Sequence, residues 1–108
     1  MSLTQNTCVP CQGGIPPLTP DEAGNFLGQV PGWEVNGTSA RLKRKFTFDD
    51  FVTSLDFVNK VGAVAEEEGH HPDISFGWGY AHIVLFTHKI QGLHENDFIM
   101  AAKISELV

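Results

Sequence analysis

The sequence predicts an α+β fold, in which a four-stranded antiparallel sheet carries three helices on one face in the order α-β-β-α-β-β-α. Three observations lead to this class. Two pairs of short alternating segments are separated by tight-turn residues, as in antiparallel hairpins. Other segments repeat their apolar residues at helical spacing. These helical segments stand before, between and after the hairpins, so they can cover one face of a single sheet.

The first helix is predicted from its capping residues. Thr19 is a suitable N-cap, Pro20 suits the first helical position, and Glu22 stands three residues after the cap, as in a capping box. Apolar residues then continue at helical spacing as far as residue 30, and the Pro31-Gly32 pair is expected to end the helix.

The first hairpin follows directly. Residues 33–35 alternate as a strand, and Asn36-Gly37 is a strong signal for a tight turn. The return strand is expected to cover about residues 40–46. Because the turn is short, the two strands should pair with each other in antiparallel fashion.

A long central helix comes next. Thr47 can cap it, and the acids that follow suit a helix N-terminus. Gly69 is a natural C-terminal stop. The predicted apolar stripe consists of Phe48, Phe51, Val52, Leu55, Val58, Gly62 and Ala65.

The second hairpin and a last helix complete the chain. Residues 74–78 alternate as a half-buried strand, Gly79-Tyr80 can turn, and residues 82–88 form the next strand. A helix is expected over residues 96–108. Alternation should direct Ile83, Leu85 and Thr87 to one face of the sheet and His82, Val84, Phe86 and His88 to the other.

The length of 108 residues suits one domain, which we expect to cover residues 18–108 after a flexible N-terminal arm over residues 1–17. The arm is rich in Gly and Pro and shows no periodicity. No apolar run approaches the roughly 20 residues of a transmembrane helix, so no membrane partner is expected. The N-terminus does not resemble a signal peptide, and the sequence predicts a cytoplasmic protein.

Charge is distributed unevenly. The net charge is −6, yet four of the seven basic residues lie at Arg41, Lys43, Arg44 and Lys45. An acidic surface elsewhere argues against nucleic acid as a partner. We interpret this run of basic residues as a strand face exposed to solvent rather than as a phosphate site.

Cys8 and Cys11 form a C-V-P-C motif. Such a pair can be redox-active or can supply half of a zinc site. The chain has no other cysteine, and the motif lies in the Gly- and Pro-rich leader. Incidental thiols in a flexible leader are therefore the favoured interpretation.

All five histidines lie between residues 70 and 94. Histidine titrates near neutral pH, so a cluster can donate and accept protons. His70 and His71 lack the i, i+4 spacing of helical metal sites. A metal held by either of them together with His88 stays open, but catalysis without metal or cofactor is favoured. His82 and His94 are interpreted as structural.

The chain resembles a known family at this point. Seven positions at set spacings resemble the signature of the pterin-4a-carbinolamine dehydratases: Glu66, His70, His71, Pro72, Trp78, His88 and Asp97. The Thr87-His88 pair, Gly92-Leu93 and Phe98 also fit. Upstream, Pro31-Gly32-Trp33 and Phe48-Asp49-Asp50-Phe51 resemble the family's equivalents, so that the resemblance covers about residues 18–108.

The resemblance implies a dehydratase that removes water from a 4a-hydroxytetrahydropterin, giving quinonoid dihydropterin, without a metal, a cofactor or a covalent intermediate. His70, His71 and His88 would be catalytic, in an order of acid and base that stays open. Family members assemble as homodimers or homotetramers. The apolar residues on both faces of the last two strands also favour a homo-oligomer.

Six further positions are expected to contact or support the pterin substrate: Glu66, Gly69, Pro72, Phe86, Thr87 and Asp97. Glu66 could orient an imidazole, and the Phe86-Thr87 segment could offer backbone groups to the ring. Three positions depart from the residues usual in the family. Gly69 stands where an acid often precedes the histidine pair, Asn96 replaces an arginine, and His94 replaces a capping Ser or Thr.

Two other functions stay open. One is a module that binds a pterin or a transcription factor without turnover, and the other is a role in molybdopterin metabolism. Neither requires a different fold, so the sequence does not choose between these functions and tetrahydropterin recycling.

Overall fold

The structure, a computed structural model, describes residues 3–5, 8, 16–36 and 40–108. Four antiparallel strands form one sheet in the order β1-β2-β4-β3, and three α-helices cover it. The elements follow one another as α1 Pro20–Leu27, β1 Glu34–Val35, β2 Leu42–Thr47, α2 Phe51–Glu68, β3 Asp73–Gly77, β4 Tyr80–Leu85 and α3 Glu95–Ser105. The predicted α+β class and the order of elements are confirmed.

The strand register separates a core face of the sheet from an open face. Leu42 pairs with Leu85 and Phe46 with Ala81, and all four side chains are buried. Both α2 and α3 contact β4 and close over this face. The opposite face exposes polar side chains, including Lys43, Lys45, Ser75 and His82.

Helix α1 begins as predicted and ends earlier. The Thr19 side chain accepts a hydrogen bond from the Glu22 N–H at 3.2 Å, and the Glu22 carboxylate accepts one from the Thr19 N–H at 2.9 Å. The helix stops at Leu27. The N–H groups of Gln29 and Val30 bond to carbonyls three residues back, so the chain tightens out of the α-helix before it reaches Pro31.

Helix α2 begins at Phe51 rather than at residue 48, and Asp50 caps it instead of Thr47. The Asp50 carboxylate accepts a 2.8 Å hydrogen bond from the Thr53 N–H. The Phe48 N–H meanwhile donates to the Gly79 carbonyl at 2.8 Å. Phe48 is thus tied to the second hairpin and cannot join the helix.

The side chains of α2 that are buried lie on a different side of the helix from most of the predicted apolar stripe. The side chains that face the core are Ser54, Phe57, Val61 and Ala65. Phe51, Val52 and Leu55, which the prediction placed in the core, are exposed by 45%, 64% and 36%. The helix carries apolar residues on more than one side, so periodicity alone could not select the buried side.

Strand β4 is shorter than predicted. It leaves the sheet after Leu85, the partner of the first residue of β2. Thr87 then pairs with Gly92 across a tight loop, and His88 begins a 3-10 turn that ends at Ile90. Thr87 is buried and His88 exposed, as alternation predicted, but neither belongs to the strand.

The described part of the N-terminal arm packs on the domain. Residues Leu3–Gln5 form a 3-10 turn against α3, and Leu3 is buried. The boundary between residues 17 and 18 stays a prediction, and Gly37 and Cys11 lie outside the described residues. None of the helices within the described ranges is long and apolar enough to span a membrane.

Candidate active site

The histidine pair lies in a loop between α2 and β3. Gly69 ends the helix in the left-handed conformation, with φ of +66°, and the Gly69 and His70 N–H groups both bond to the Ala65 carbonyl. This turn leaves residues 70–72 outside regular structure. The two imidazoles then point to different surroundings: the His70 side chain is 12% exposed and that of His71 is 61% exposed.

His70 binds the buried carboxylate of Asp97. The two side chains meet at 2.6 Å between Nε2 and Oδ1, and the Asp97 side chain has no exposure. An ionised carboxylate only accepts hydrogen bonds, so Nε2 carries the proton. In the neutral imidazole Nδ1 is then unprotonated and can accept a proton.

The other oxygen of Asp97 is held from two directions. Oδ2 accepts hydrogen bonds from the Thr87 hydroxyl and from the His94 N–H, each at 2.9 Å. These donors compensate for the burial of the carboxylate and fix its orientation. Asp97 therefore links the loop of His70 to the segment that precedes His88.

His94 performs the capping role that the sequence comparison assigned to Ser or Thr. Its Nδ1 accepts a 3.0 Å hydrogen bond from the Asn96 N–H, and Asp97 closes the capping box on the His94 N–H. The three-residue spacing of His94 and Asp97, at the N-cap and N3 positions, is the sequence signal that could have predicted this capping box. Helix α3 therefore has an N-cap, although His94 stands in place of the usual Ser or Thr.

His71 pairs with Glu66 at the surface. The carboxylate of Glu66 contacts His71 Nε2, and both side chains are largely exposed. Glu66 was expected to orient an imidazole, and it does so for His71 rather than for the buried His70. Because solvent screens exposed pairs, this contact contributes orientation more than stability.

His88 is exposed and lies against an aromatic ring, with the two ring planes tilted by 53°. Its imidazole lies 4.0 Å from the ring of Phe86, between centroids. The guanidinium of Arg41 covers the same phenyl ring at 3.6 Å. Arg41 was not among the expected site residues, because its contact with Phe86 joins two segments that are distant in the sequence.

The remaining candidates lie around these groups. Gly69 is exposed and Pro72 half-buried in the histidine loop. The backbone N–H and carbonyl of Thr87 are both bonded to Gly92, and its hydroxyl to Asp97. Thr87 therefore holds the site together, whereas Phe86 presents a ring beside His88.

A half-buried ion pair that the sequence analysis did not predict joins the end of α2 to α3. Glu68, the last residue of α2, accepts a 2.8 Å hydrogen bond from Lys103 of α3 and another from the Cys8 N–H. The hydrogen bond from Lys103 is the main cause that lowers the pKa of Glu68. Burial, together with the Glu68 charge, raises the pKa of the Cys8 thiol to about 12.

Metal ligands are not grouped in the described part of the chain. Among residues 3–5, 8, 16–36 and 40–108, no set of three or more His, Cys, Asp and Glu side chains is placed to hold an ion. Together the groups described above offer a proton acceptor backed by a carboxylate, two exposed imidazoles and an aromatic surface.

Comparison with protein families identifies the chain. The family model described as pterin 4 alpha carbinolamine dehydratase matches residues 16–107. The chain belongs to the pterin-4a-carbinolamine dehydratase family. A protein of Methylococcus capsulatus, provisionally named pterin-4-alpha-carbinolamine dehydratase, is 59% identical over 106 residues, which span 98% of this chain and 93% of the relative. One of Halorhodospira halophila with the same provisional name is 53% identical over 107 residues, spanning 99% of this chain and 98% of the relative.

Solved structures agree with the family. A transcriptional coactivator/pterin dehydratase from Brucella melitensis has a TM-score of 0.80 at 30% identity, over 84% of this chain and 97% of the other. A pterin dehydratase-like protein, a RuBisCO assembly factor of the α-carboxysome, has a TM-score of 0.61 at 28% identity, over 70% of this chain and 88% of the other. The dehydratase fold is therefore shared with proteins whose described roles differ.

Proposed function

We propose that this member of the dehydratase family removes water from a 4a-hydroxytetrahydropterin by general acid–base catalysis at His70, His71 and His88. The observation that carries the proposal is the contact between His70 and the buried Asp97. It leaves Nδ1 of His70 free to take a proton and provides a carboxylate that stabilises the imidazolium so formed.

The reaction requires two proton movements. The C4a–O bond breaks as a proton reaches the departing hydroxyl, N5 loses its proton, and a C4a=N5 double bond forms, giving quinonoid dihydropterin and water. We assign removal of the N5 proton to His70. An imidazolium at His71 or His88 delivers the other proton, and both side chains are exposed enough to exchange protons with solvent.

Glu66 and Phe86 support the exposed histidines in this proposal. The Glu66 carboxylate contacts Nε2 of His71 and so orients the imidazole that is a candidate proton donor. The Phe86 ring contacts both His88 and Arg41 and so helps to hold the exposed imidazole in place. Gly69 and Pro72 belong to the loop that carries His70 and His71.

A dehydration assay tests the proposal. The carbinolamine is generated from a tetrahydropterin, and formation of the quinonoid product is followed by absorbance against the uncatalysed rate. We expect saturable acceleration by the wild-type protein. A folded protein with no acceleration would reject catalysis.

A role as a binding module is the second candidate, because α2 exposes Phe51, Val52 and Leu55. Apolar side chains in such a group mark surfaces that bind other proteins. A partner bound by a folded protein that has no turnover would favour this candidate. Tetrahydropterin recycling, molybdopterin metabolism and a cytoplasmic location stay predictions.

A further inference from the structure

The open face of the sheet carries a row of cations along β2. Successive residues of a strand point to opposite faces, so Lys43 and Lys45 share the face that the helices leave uncovered. Arg41, two residues before Lys43, continues the row. Arg44 points the other way, and its guanidinium donates hydrogen bonds to the Pro31 carbonyl and the Ser105 hydroxyl. We call Arg41, Lys43 and Lys45 the basic row.

No carboxylate forms an ion pair with the basic row within the described residues. The ion pairs found there join His70 to Asp97, His71 to Glu66 and Lys103 to Glu68. Glu34 is the register partner of Lys43, yet the two do not form an ion pair. Like charges aligned on one face repel each other. In a chain with 13 acidic residues, such an uncompensated row is suited to an external anion.

A cavity lies beside the basic row. It has a volume of about 310 Å³. Its walls include Lys43, Lys45 and the exposed His82 from the open face of the sheet, and also Arg44. Glu34 at its rim is the one carboxylate among its lining residues. This volume lies at the lower end of the range of ligand pockets, so it is large enough for a charged substituent of a substrate.

The basic row begins at the candidate active site. The Arg41 guanidinium lies over the Phe86 ring, which also contacts His88. At ~3.3 Å per residue along a strand, Lys43 follows Arg41 by about 7 Å and Lys45 by about 13 Å. A ligand whose ring lies beside His88 could therefore extend its side chain along Arg41 towards the cavity.

We propose that the basic row binds the side chain of an anionic substrate, a pterin that carries phosphate or carboxylate groups. This inference rests on the proposed function and specifies its substrate class. The Arg41 guanidinium and the lysine ammonium groups supply charged donors to phosphate or carboxylate oxygens. These contacts are remote from C4a and N5, so they act through KM more than through kcat.

The test compares three carbinolamines with the same ring: one with a neutral hydroxyalkyl side chain, one phosphorylated and one extended by glutamates. The readout is the ratio of kcat/KM for each charged substrate to that for the neutral one. We expect the wild type to prefer a charged substrate by roughly tenfold at low salt, since each exposed ion pair contributes modestly. The preference should shrink as ionic strength rises.

The variant K43Q/K45Q should lower this ratio towards one. Both lysines are exposed, so the substitutions should not disturb folding. K60E, at an exposed lysine of α2, changes the net charge by the same amount, so it is the matched control and should keep the wild-type ratio. The single variants separate the two sources of charge. The kcat/KM ratio of the phosphorylated substrate, whose charge is close to the ring, should fall mainly in K43Q. The ratio of the longer glutamyl substrate should also fall in K45Q.

Failure of this proposal can be distinguished from failure of the proposed function. Turnover of the neutral pterin without preference for either charged one overturns the basic row as a binding site. An equal loss on all substrates in K43Q/K45Q overturns it too. If no substrate is turned over, binding of the stable oxidised phosphopterin is titrated instead. Weaker binding by K43Q/K45Q than by K60E supports the site, and equal binding overturns it.

Discussion

Nε2 of His70 lies 2.6 Å from the buried Oδ1 of Asp97, although the two residues are 27 positions apart in the chain. Helix α3 carries the carboxylate, and the loop after α2 carries the imidazole. The contact between these two elements thus determines the orientation of the proposed base, and changes to either side chain should affect catalysis in distinct ways.

Replacing Asp97 by Asn tests the charge of this side chain, because the substitution removes the charge and nearly keeps the shape. The amide is similar in size but cannot stabilise an imidazolium, and its NH2 group can reverse the tautomer of His70. We expect kcat to fall by about 10²–10⁴-fold while the far-ultraviolet circular dichroism is retained. Wild-type turnover in a folded D97N protein would exclude the assigned role of the dyad.

Single alanine variants of His70, His71 and His88 should each lower turnover by about 10–10⁴-fold. The pH profile adds a second measurement, because loss of an acid and loss of a base remove different limbs of it. Circular dichroism of each variant checks folding. An H88A enzyme as active as the wild type would contradict the assignment of His88.

The Glu68–Lys103 pair should stabilise the fold in a pH-dependent way. The pKa of Glu68 is lowered, chiefly by the hydrogen bond from Lys103, so its contribution is present above the unfolded pKa, about 4.5, and is lost as pH falls through the folded pKa. We expect E68Q to lose about 1–3 kcal/mol of unfolding free energy at pH 7.

Urea denaturation at pH 7 and at acid pH measures this contribution. The gap between wild type and E68Q should narrow in acid, because both then carry an uncharged side chain at residue 68. E67Q, one residue earlier and exposed, is the matched control and should change stability little. A gap that is equal at both pH values would rule out charge as its origin.

We expect a homo-oligomer, and in the structure the exposed apolar surface that favours it lies on α2 rather than on the open face of the sheet. On the open face of the sheet Val84 is only half-buried among polar residues, whereas α2 exposes Phe51, Val52 and Leu55. We expect V52E to shift the sedimentation coefficient towards the monomer, with K60Q as a control of equal charge change. A monomeric wild type at micromolar concentration would contradict the prediction.

Activity should not depend on a metal ion. His70 and His71 already pair with Asp97 and Glu66, and acid–base chemistry accounts for both proton movements. Elemental analysis of purified protein should find no stoichiometric zinc or iron, and prolonged EDTA treatment should leave turnover unchanged. Activity that disappears with EDTA and returns with added metal would refute this prediction.

Local signals in the sequence were sufficient for the order of elements. The capping box at Thr19, the left-handed stop at Gly69 and the alternation through Ile83 and Leu85 depend on neighbours within a few residues, and the structure agrees with each. The spacing of the histidines, Glu66 and Asp97 likewise indicated the family before any contact was known. Such signals are readable because turns, caps and periodicity are properties of short segments.

Contacts between distant segments were decided only by the tertiary structure. Helix α2 is apolar on more than one side, and its packing on the sheet selected Phe57 and Val61 for the core while leaving Val52 exposed. The same packing directs His70 to Asp97 and leaves His71 to Glu66. Adjacent side chains diverge in a way that depends on the backbone angles of the loop, and a partner on another helix depends on how that helix is rotated. Neither quantity is encoded in the spacing of residues along one segment.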